Sequence, residues 1–209
     1  MTEIKLDDLS ERYGFLDPAS SKKDGELKRI KARSALVVVA PDWLGRIFVL
    51  DAWCGRTSTD DLIERMYKTH EIWKLRVLGG EANAMQELFQ EAVLRDARLR
   101  GRSLPLRPVH QPTRLEKDWR IRTILQPIIA NGRLFLRPDM TELRTEIASF
   151  PLSPFKDTVD ALASAVKMIP RRGTRKEQDA EKQQLMEYLR KSGAPSSYIE
   201  EVARRGSVR

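Results

Sequence analysis

The sequence predicts an α/β fold: a mixed β-sheet with antiparallel hairpin strands plus parallel strands, flanked by helices. Three observations predict it. Ser34–Ala40 and Arg46–Trp53 are runs rich in β-branched and aromatic residues, joined by a turn at Pro41, Asp42 and Gly45, the pattern of an antiparallel hairpin. Downstream, helical spacing alternates with short apolar runs, and such alternation gives a sheet with helices packed on it. Finally, 41% of the 209 residues are hydrophobic, enough to bury a core against the sheet.

The elements follow in order. Residues 1–11 are a polar lead-in. Arg12–Leu16 forms a strand with Asp17 at its end, and residues 20–33 carry the charges of an exposed loop. After the hairpin, Thr57, Ser58, Thr59 and Asp60 are N-cap candidates for a helix whose Leu62, Ile63, Met66 and Tyr67 share one face. Lys74–Leu78 is the next strand and runs into Gly79, Gly80 and Glu81. A helix over 82–99 turns Met85, Leu88, Phe89 and Ala92 to one side. Residues 100–113, with three prolines, give a short strand between loops. Leu115–Ile129 is partly helical, Asn131-Gly132 is a turn, and Arg133–Leu136 is a strand. Helices over 138–149 and 155–168 flank a linker at Phe150–Pro154. Beyond Pro170–Gly173, a polar helix over 174–191 is broken at 193–195, and Ser197 with Glu200 caps a last short helix.

Charge narrows the partner. The chain is 33% charged, with formal net charge +8 and pI about 9.7. That balance favours a polyanion, nucleic acid first and an anionic membrane surface second. Residues 95–122 hold nine Arg or Lys against Asp96, Glu116 and Asp118. Part of this stretch, with Lys22 and Lys23, is expected to track a phosphate backbone largely independently of sequence. Among Trp43, Trp53, Trp73 and Trp119, Trp53 and Trp73 suit the core, and Trp43 in the hairpin turn is the best candidate for base stacking. Cys54 is the only cysteine, which excludes an intramolecular disulfide framework and a cysteine-based zinc site and fits a reducing intracellular setting. No apolar run approaches the ~18 residues of a membrane span, so no membrane association is expected. The N-terminus is too polar for a signal peptide.

Three acids occupy distinctive positions. Asp17 ends a strand, Glu81 ends another just after two glycines, and Asp157 stands in the first turn of a helix whose Val159, Ala161, Leu162 and Val166 face inward. Carboxylates at strand ends can converge on one point. Hard divalent cations such as Mg²⁺ and Mn²⁺ require oxygen ligands of this kind, and two such ions about 4 Å apart can drive phosphodiester hydrolysis. The same placements also suit ordinary roles: Asp17 before Pro18 as a turn residue, and Asp157 at the positive end of its helix dipole.

Several segments together resemble the C-terminal nuclease domain of viral large terminases, an RNase H-like domain. Leu16-Asp17-Pro18-Ala19 is similar to that family's first metal-binding motif, and Phe48-Val49-Leu50-Asp51 to the end of its hairpin. Val77-Leu78-Gly79-Gly80-Glu81-Ala82 resembles the strand that carries the second acid. Lys117-Asp118-Trp119-Arg120-Ile121 resembles a basic stretch before the last strand, here Gly132–Phe135. Phe150-Pro151, a spacer and Lys156-Asp157-Thr158-Val159-Asp160-Ala161-Leu162-Ala163 resemble the closing motif. The resemblance spans residues 12–168.

It implies an RNase H-like nuclease domain over 1–169, followed by a basic helical tail over 170–209. It makes Asp17, Glu81 and Asp157 catalytic metal ligands for Mg²⁺ or Mn²⁺, with two ions expected. Asp160, one helical turn from Asp157, either joins the metal site or packs its helix. Asp24 is a lesser candidate from the loop. Phe155 and Lys156 stand where the family often has His and Asp, so Lys156 either meets a substrate phosphate or faces solvent. Lys22, Lys23, Lys117, Arg120 and Lys156 are the expected DNA-binding residues.

The implied activity is metal-dependent endonucleolytic cleavage of concatemeric viral DNA during genome packaging, with little sequence specificity. The implied partners are double-stranded DNA, a terminase ATPase domain, the small terminase subunit and the portal protein, in the host cytoplasm. No phosphate-binding Gly-x-x-x-x-Gly-Lys-Ser/Thr loop is present. The chain is therefore expected to be an excised nuclease domain or a free-standing relative. Two alternatives stay open: another RNase H-like nuclease such as a junction resolvase, and a non-catalytic basic DNA-binding module.

Overall fold

The computed structural model describes residues 9, 11–18, 33–82, 90–109, 117–170 and 183. In chain order the elements are β1 (Tyr13–Asp17), β2 (Ser34–Pro41), β3 (Ile47–Gly55), α1 (Thr59–Trp73), β4 (Val77–Glu81), α2 (Gln90–Arg100), β5 (Leu106–Val109), α3 (Lys117–Ala130), β6 (Leu134–Phe135), α4 (Thr141–Ser149) and α5 (Asp157–Met168). The strands form one six-stranded sheet in the order β5-β4-β1-β2-β3-β6. The pairs β1–β2 and β2–β3 are antiparallel, while β1–β4, β4–β5 and β3–β6 are parallel. This is the RNase H-like mixed sheet expected from the sequence. Among the described residues no helix is long and apolar enough to cross a membrane.

Local chemistry accounts for the hairpin. Asp42 Oδ1 accepts from the backbone N–H groups of Leu44 at 3.0 Å and Arg46 at 2.8 Å, and its Oδ2 accepts from Arg46 Nε at 2.6 Å. An aspartate that folds back on its own turn in this way fixes the reversal, and Gly45 supplies the positive φ of 74° the turn requires. A register shift between Val38 and Val39 adds a bulge, so β3 switches the side of its later residues. At the start of α1, Ser58 Oγ accepts from Asp61 N at 3.1 Å, as an N-cap does. Lys74 closes the helix in the left-handed region at φ 47°.

With Lys74 capping the helix, the following strand starts later than the apolar run predicts. Lys74–Leu78 was the expected strand, and β4 instead begins at Val77 and runs through both glycines to Glu81. Glycine ordinarily weakens a strand, but here packing demands it. A Cβ on Gly79 would lie 2.2 Å from Met168 Sδ and 3.0 Å from the Phe15 ring. The end of α5 therefore rests on bare backbone. At the edge of the sheet, β5 tolerates Pro108 because an edge strand need not donate on its outer side.

Strand alternation divides the core in two. On one face Leu16, Leu36, Val38, Ala40, Leu50 and Leu78 pack with Leu62, Ile63, Met66 and Tyr67 of α1 and Val93 of α2. On the other, Phe15, Val37, Val39 and Val49 pack with Ile121 and Leu125 of α3, Leu143 of α4 and the apolar residues of α5. Residues Thr158–Ala165 of α5 are all buried. Ala161, Ala163, Ser164 and Ala165 keep the helix slim enough to lie across β1, β2 and β3 while touching α3 and α4. Residues 83–89 of the expected 82–99 helix and Lys22, Lys23 and Asp24 lie outside the described residues. So do Arg171–Arg209, apart from Gln183, within the unit Pro170–Arg209 that follows Met1–Ile169.

Candidate active site

The sheet brings two of the predicted acids together. In the parallel pair β1–β4, Leu16 sits beside Gly80, so the next residue along each strand sets Asp17 beside Glu81. Neighbouring strands run about 4.8 Å apart. Asp17 shares its side of the sheet with Tyr13 and Phe15, and Glu81 shares its side with Val77 and Gly79. Both therefore face the layer that holds α3 and α5. The N-terminus of α5 carries Asp157 and Asp160 onto this same face.

The charges around Asp17 act on its carboxyl. The Asp17 carboxyl is pushed up to about 7. Burial is the largest cause, the charge of Asp160 adds to it, Lys117 opposes it, and Asp157 and Glu81 raise it further. A buried carboxyl raised further by three other carboxylates sits where a positive charge is favoured.

Protein cations already serve Asp157 and Asp160. Asp160, 5% exposed, accepts from Arg120 through Oδ1 and from Lys117 Nζ through Oδ2 at 2.9 Å. Asp157 accepts from Arg33 Nε at 3.1 Å and Nη2 at 3.0 Å, both through Oδ2. Arg33 also pairs with Glu142 and with Glu146 at 3.3 Å, and it stacks 4.3 Å from the Phe155 ring centroid. Glu146, 3% exposed, accepts the Val159 N–H at 2.9 Å through its second oxygen and so caps the first turn of α5. Held in this way, no three His, Cys, Asp or Glu among the described residues are arranged to enclose a metal ion. Carboxylate oxygens are the ligand type a hard divalent cation takes, and the Asp17 carboxyl is pushed up first by burial and then by Asp160.

The predicted DNA contacts divide. Lys117 keeps a 45% exposed side chain beside the acids. Burial lowers its pKa, but Asp160, Asp17 and Asp157 outweigh that and the net shift is upward, so the ammonium stays charged. Lys156 pairs with Asp118 at 2.6 Å and lies over the Phe150 ring. Arg120 is buried at 9% exposure, and its guanidinium is taken up by Asp160 and by Ser164 Oγ at 3.4 Å. The first half of the basic run lies elsewhere. Arg95, Arg100 and Arg102 answer Asp60, Glu64 and Glu71 of α1, on the face of the sheet opposite the carboxylates. Trp43 is 71% exposed, as expected. However, it lies at the far end of β2 from Ala35, the partner of Asp17, about 20 Å away at ~3.3 Å per residue. Trp119, 54% exposed on α3 next to Asp118, stands closer to the acids. Arg33, Glu142 and Glu146 carry no signal in the sequence that marks them as neighbours of Asp157. Arg33 is 124 positions from Asp157, and no local pattern links them.

The fold is an RNase H-like α/β domain, with Asp17 and Glu81 side by side at the ends of adjacent parallel strands. The sequence matches no protein-family model and no curated protein. The structure is similar to the HK97 bacteriophage large terminase, at 15% identity and TM-score 0.53 over 75% of this chain and 39% of that one. It is also similar to the large terminase nuclease from thermophilic phage G20c, at 12% identity and TM-score 0.51 over 77% of this chain and 83% of that one. The chain shares its fold with the G20c large terminase nuclease and spans about two fifths of the HK97 protein.

Proposed function

We propose that this chain is a metal-dependent DNA endonuclease of the large-terminase kind, cutting concatemeric viral DNA during genome packaging with little sequence specificity. The observation that carries this reading is the placement of Asp17 beside Glu81 at the ends of two parallel strands, facing Asp157 at the start of α5. Asp17, Glu81 and Asp157 hold Mg²⁺ or Mn²⁺ in this reading. Bound there, a pair of such ions supplies an activated water and a stabilised leaving oxygen. Asp160, with both oxygens given to Arg120 and Lys117, acts as a packing and positioning residue. Lys117 and Lys156 meet phosphates at the site edge, and Lys22 and Lys23, which follow β1 in the sequence, add to that grip. The net charge of +8 draws duplex DNA, and binding weakens steeply with salt.

Further proposals follow from the likeness to large terminases: an ATPase domain, a small subunit and a portal protein as partners, working in the host cytoplasm. The basic tail over 170–209 is a candidate docking segment for one of them.

The testing experiment compares cleavage of linear duplex, four-way junction and RNA–DNA hybrid in Mn²⁺ by wild type and Glu81→Gln. Cleavage of plain duplex that Glu81→Gln abolishes supports the proposal. Cleavage confined to junctions or hybrids would move the chain to another nuclease task.

A further inference from the structure

The turn between β2 and β3 points its apolar residues outward. Gly45 N donates to Asp42 O at 3.1 Å, which puts Trp43 and Leu44 at the two central positions, and they are 71% and 46% exposed. Polar residues are usual there. The turn is also held rigid. Asp42 Oδ1 accepts from both Leu44 N and Arg46 N, and its Oδ2 accepts from Arg46 Nε. The Asp42 side chain is only 3% exposed, so its charge is hidden. The edge strand β6 lies against this turn. Ile47 N donates to Arg133 O at 2.7 Å, and Arg133 Nη1 is 3.8 Å from where a Cβ on Gly45 would stand. Phe135, exposed on β6, stacks on Phe48 with centroids 4.9 Å apart. The Arg46 guanidinium lies within 5.9 Å of both ring centroids.

We infer that this corner of the sheet, with Trp43, Leu44 and Phe135 edged by Arg46 and Arg133, docks a protein partner through a short apolar segment that carries carboxylates. Tryptophan and arginine are the residues that most often dominate protein interfaces. Here the tryptophan is offered on a backbone already fixed by Asp42, so little conformational freedom is lost when a partner covers it. The sign of the charge selects the partner. The one acid of the turn is buried and answered by Arg46, whereas Arg133 is exposed, so the corner meets the partner with positive charge. A nucleic-acid strand fits it less well. Phosphates need free cations, and one of the two arginines is already engaged by Asp42. The corner also stands at the opposite end of β2 from Ala35, the residue paired with Asp17, away from the carboxylates. This inference is independent of the proposed cleavage chemistry.

The test selects peptides from a displayed random library on the full wild-type chain and measures the enriched sequences by fluorescence anisotropy, with oligo(dT) and duplex DNA as parallel probes. The enriched peptides are expected to combine aromatic or aliphatic residues with Asp or Glu. Their affinity should fall about tenfold or more in Trp43→Ala, the loss typical of an interface anchor, and should also fall in Arg133→Glu. Asp42→Ala keeps Trp43 but frees the turn, so it should weaken the same peptides. Circular dichroism checks folding, and if Asp42→Ala misfolds, the two surface variants decide. Peptides that bind Trp43→Ala as they bind wild type, or that are basic, overturn the inference. So does a library that yields no binder. Loss of oligo(dT) or duplex binding in Trp43→Ala, with peptide binding unchanged, would make the corner a nucleic-acid surface instead. Sedimentation supplies the last arm: self-association of wild type that Trp43→Ala abolishes would make the occupant a second copy of this chain and overturn the assignment to a separate partner.

Discussion

Asp17 and Glu81 stand side by side because β1 and β4 run parallel with Leu16 in register with Gly80. The crossover between these strands spans the hairpin and α1, yet it delivers the two carboxylates to one point on the face where α5 starts. The Asp17 carboxyl is pushed up to about 7, first by burial and then by the charge of Asp160, with Asp157 and Glu81 adding less and Lys117 opposing.

A pH dependence follows. The folded Asp17 carboxyl lies at about 7, against an ordinary value of 3.8. A raised carboxyl contributes stability that is fully present below pH ~4 and lost as pH rises through ~7, because the unfolded chain ionises first. Asp17→Asn removes that loss. Its melting temperature should exceed that of the metal-free wild type by about 3 °C or more at pH ~8, and the gap should close near pH ~4. Scanning calorimetry across this range, in EDTA, checks it. A constant gap would show that charge at Asp17 is not the cause. Divalent-ion binding by the wild type should strengthen over the same rise in pH, since the ion competes with the proton.

Packing at Gly79 predicts a steric cost. With Met168 Sδ 2.2 Å from where a Cβ would stand, Gly79→Ala should destabilise the chain by about 1–3 kcal/mol, the usual penalty for overpacking. Adding Met168→Ala should recover part of it. Urea unfolding of both single variants and the double gives the coupling, and simple additivity would contradict the contact.

The buried pair of Arg120 and Asp160 makes a third prediction. Arg120→Met strands Asp160 with Lys117 alone in a site that is 5% exposed, and breaking a buried pair from one side typically costs about 3–5 kcal/mol. Arg120→Met combined with Asp160→Asn should regain at least half of that, read by urea denaturation at neutral pH. If the single variant loses nothing, Arg120 is not the partner that fixes α5.

Much of this was legible in the sequence, for identifiable reasons. The hairpin announced itself through β-branched runs around a Pro-Asp turn, and the start of α1 through Ser58. Asp17, Glu81 and Asp157 could be singled out because each ends or begins an element, where the fold gathers side chains. Other features were hidden because they depend on tertiary contact. The need for glycine at position 79 was hidden, since only the packing of Met168 against β4 shows it. The run of arginines in 95–122 reads as one basic stretch, but the sheet divides it. Arg95, Arg100 and Arg102 answer the acids of α1, and Lys117 and Arg120 turn to Asp160. Nothing local to Arg33 marks it as the residue that grips Asp157.

The most direct test of the carboxylate site is conversion of supercoiled plasmid in Mg²⁺, Mn²⁺ or EDTA by wild type and a folded Asp157→Ala variant. The account predicts that wild type nicks and linearises the plasmid only when a divalent ion is present, and that Asp157→Ala binds DNA yet leaves it intact. Equal cleavage by both proteins, or cleavage undiminished in EDTA, would contradict it.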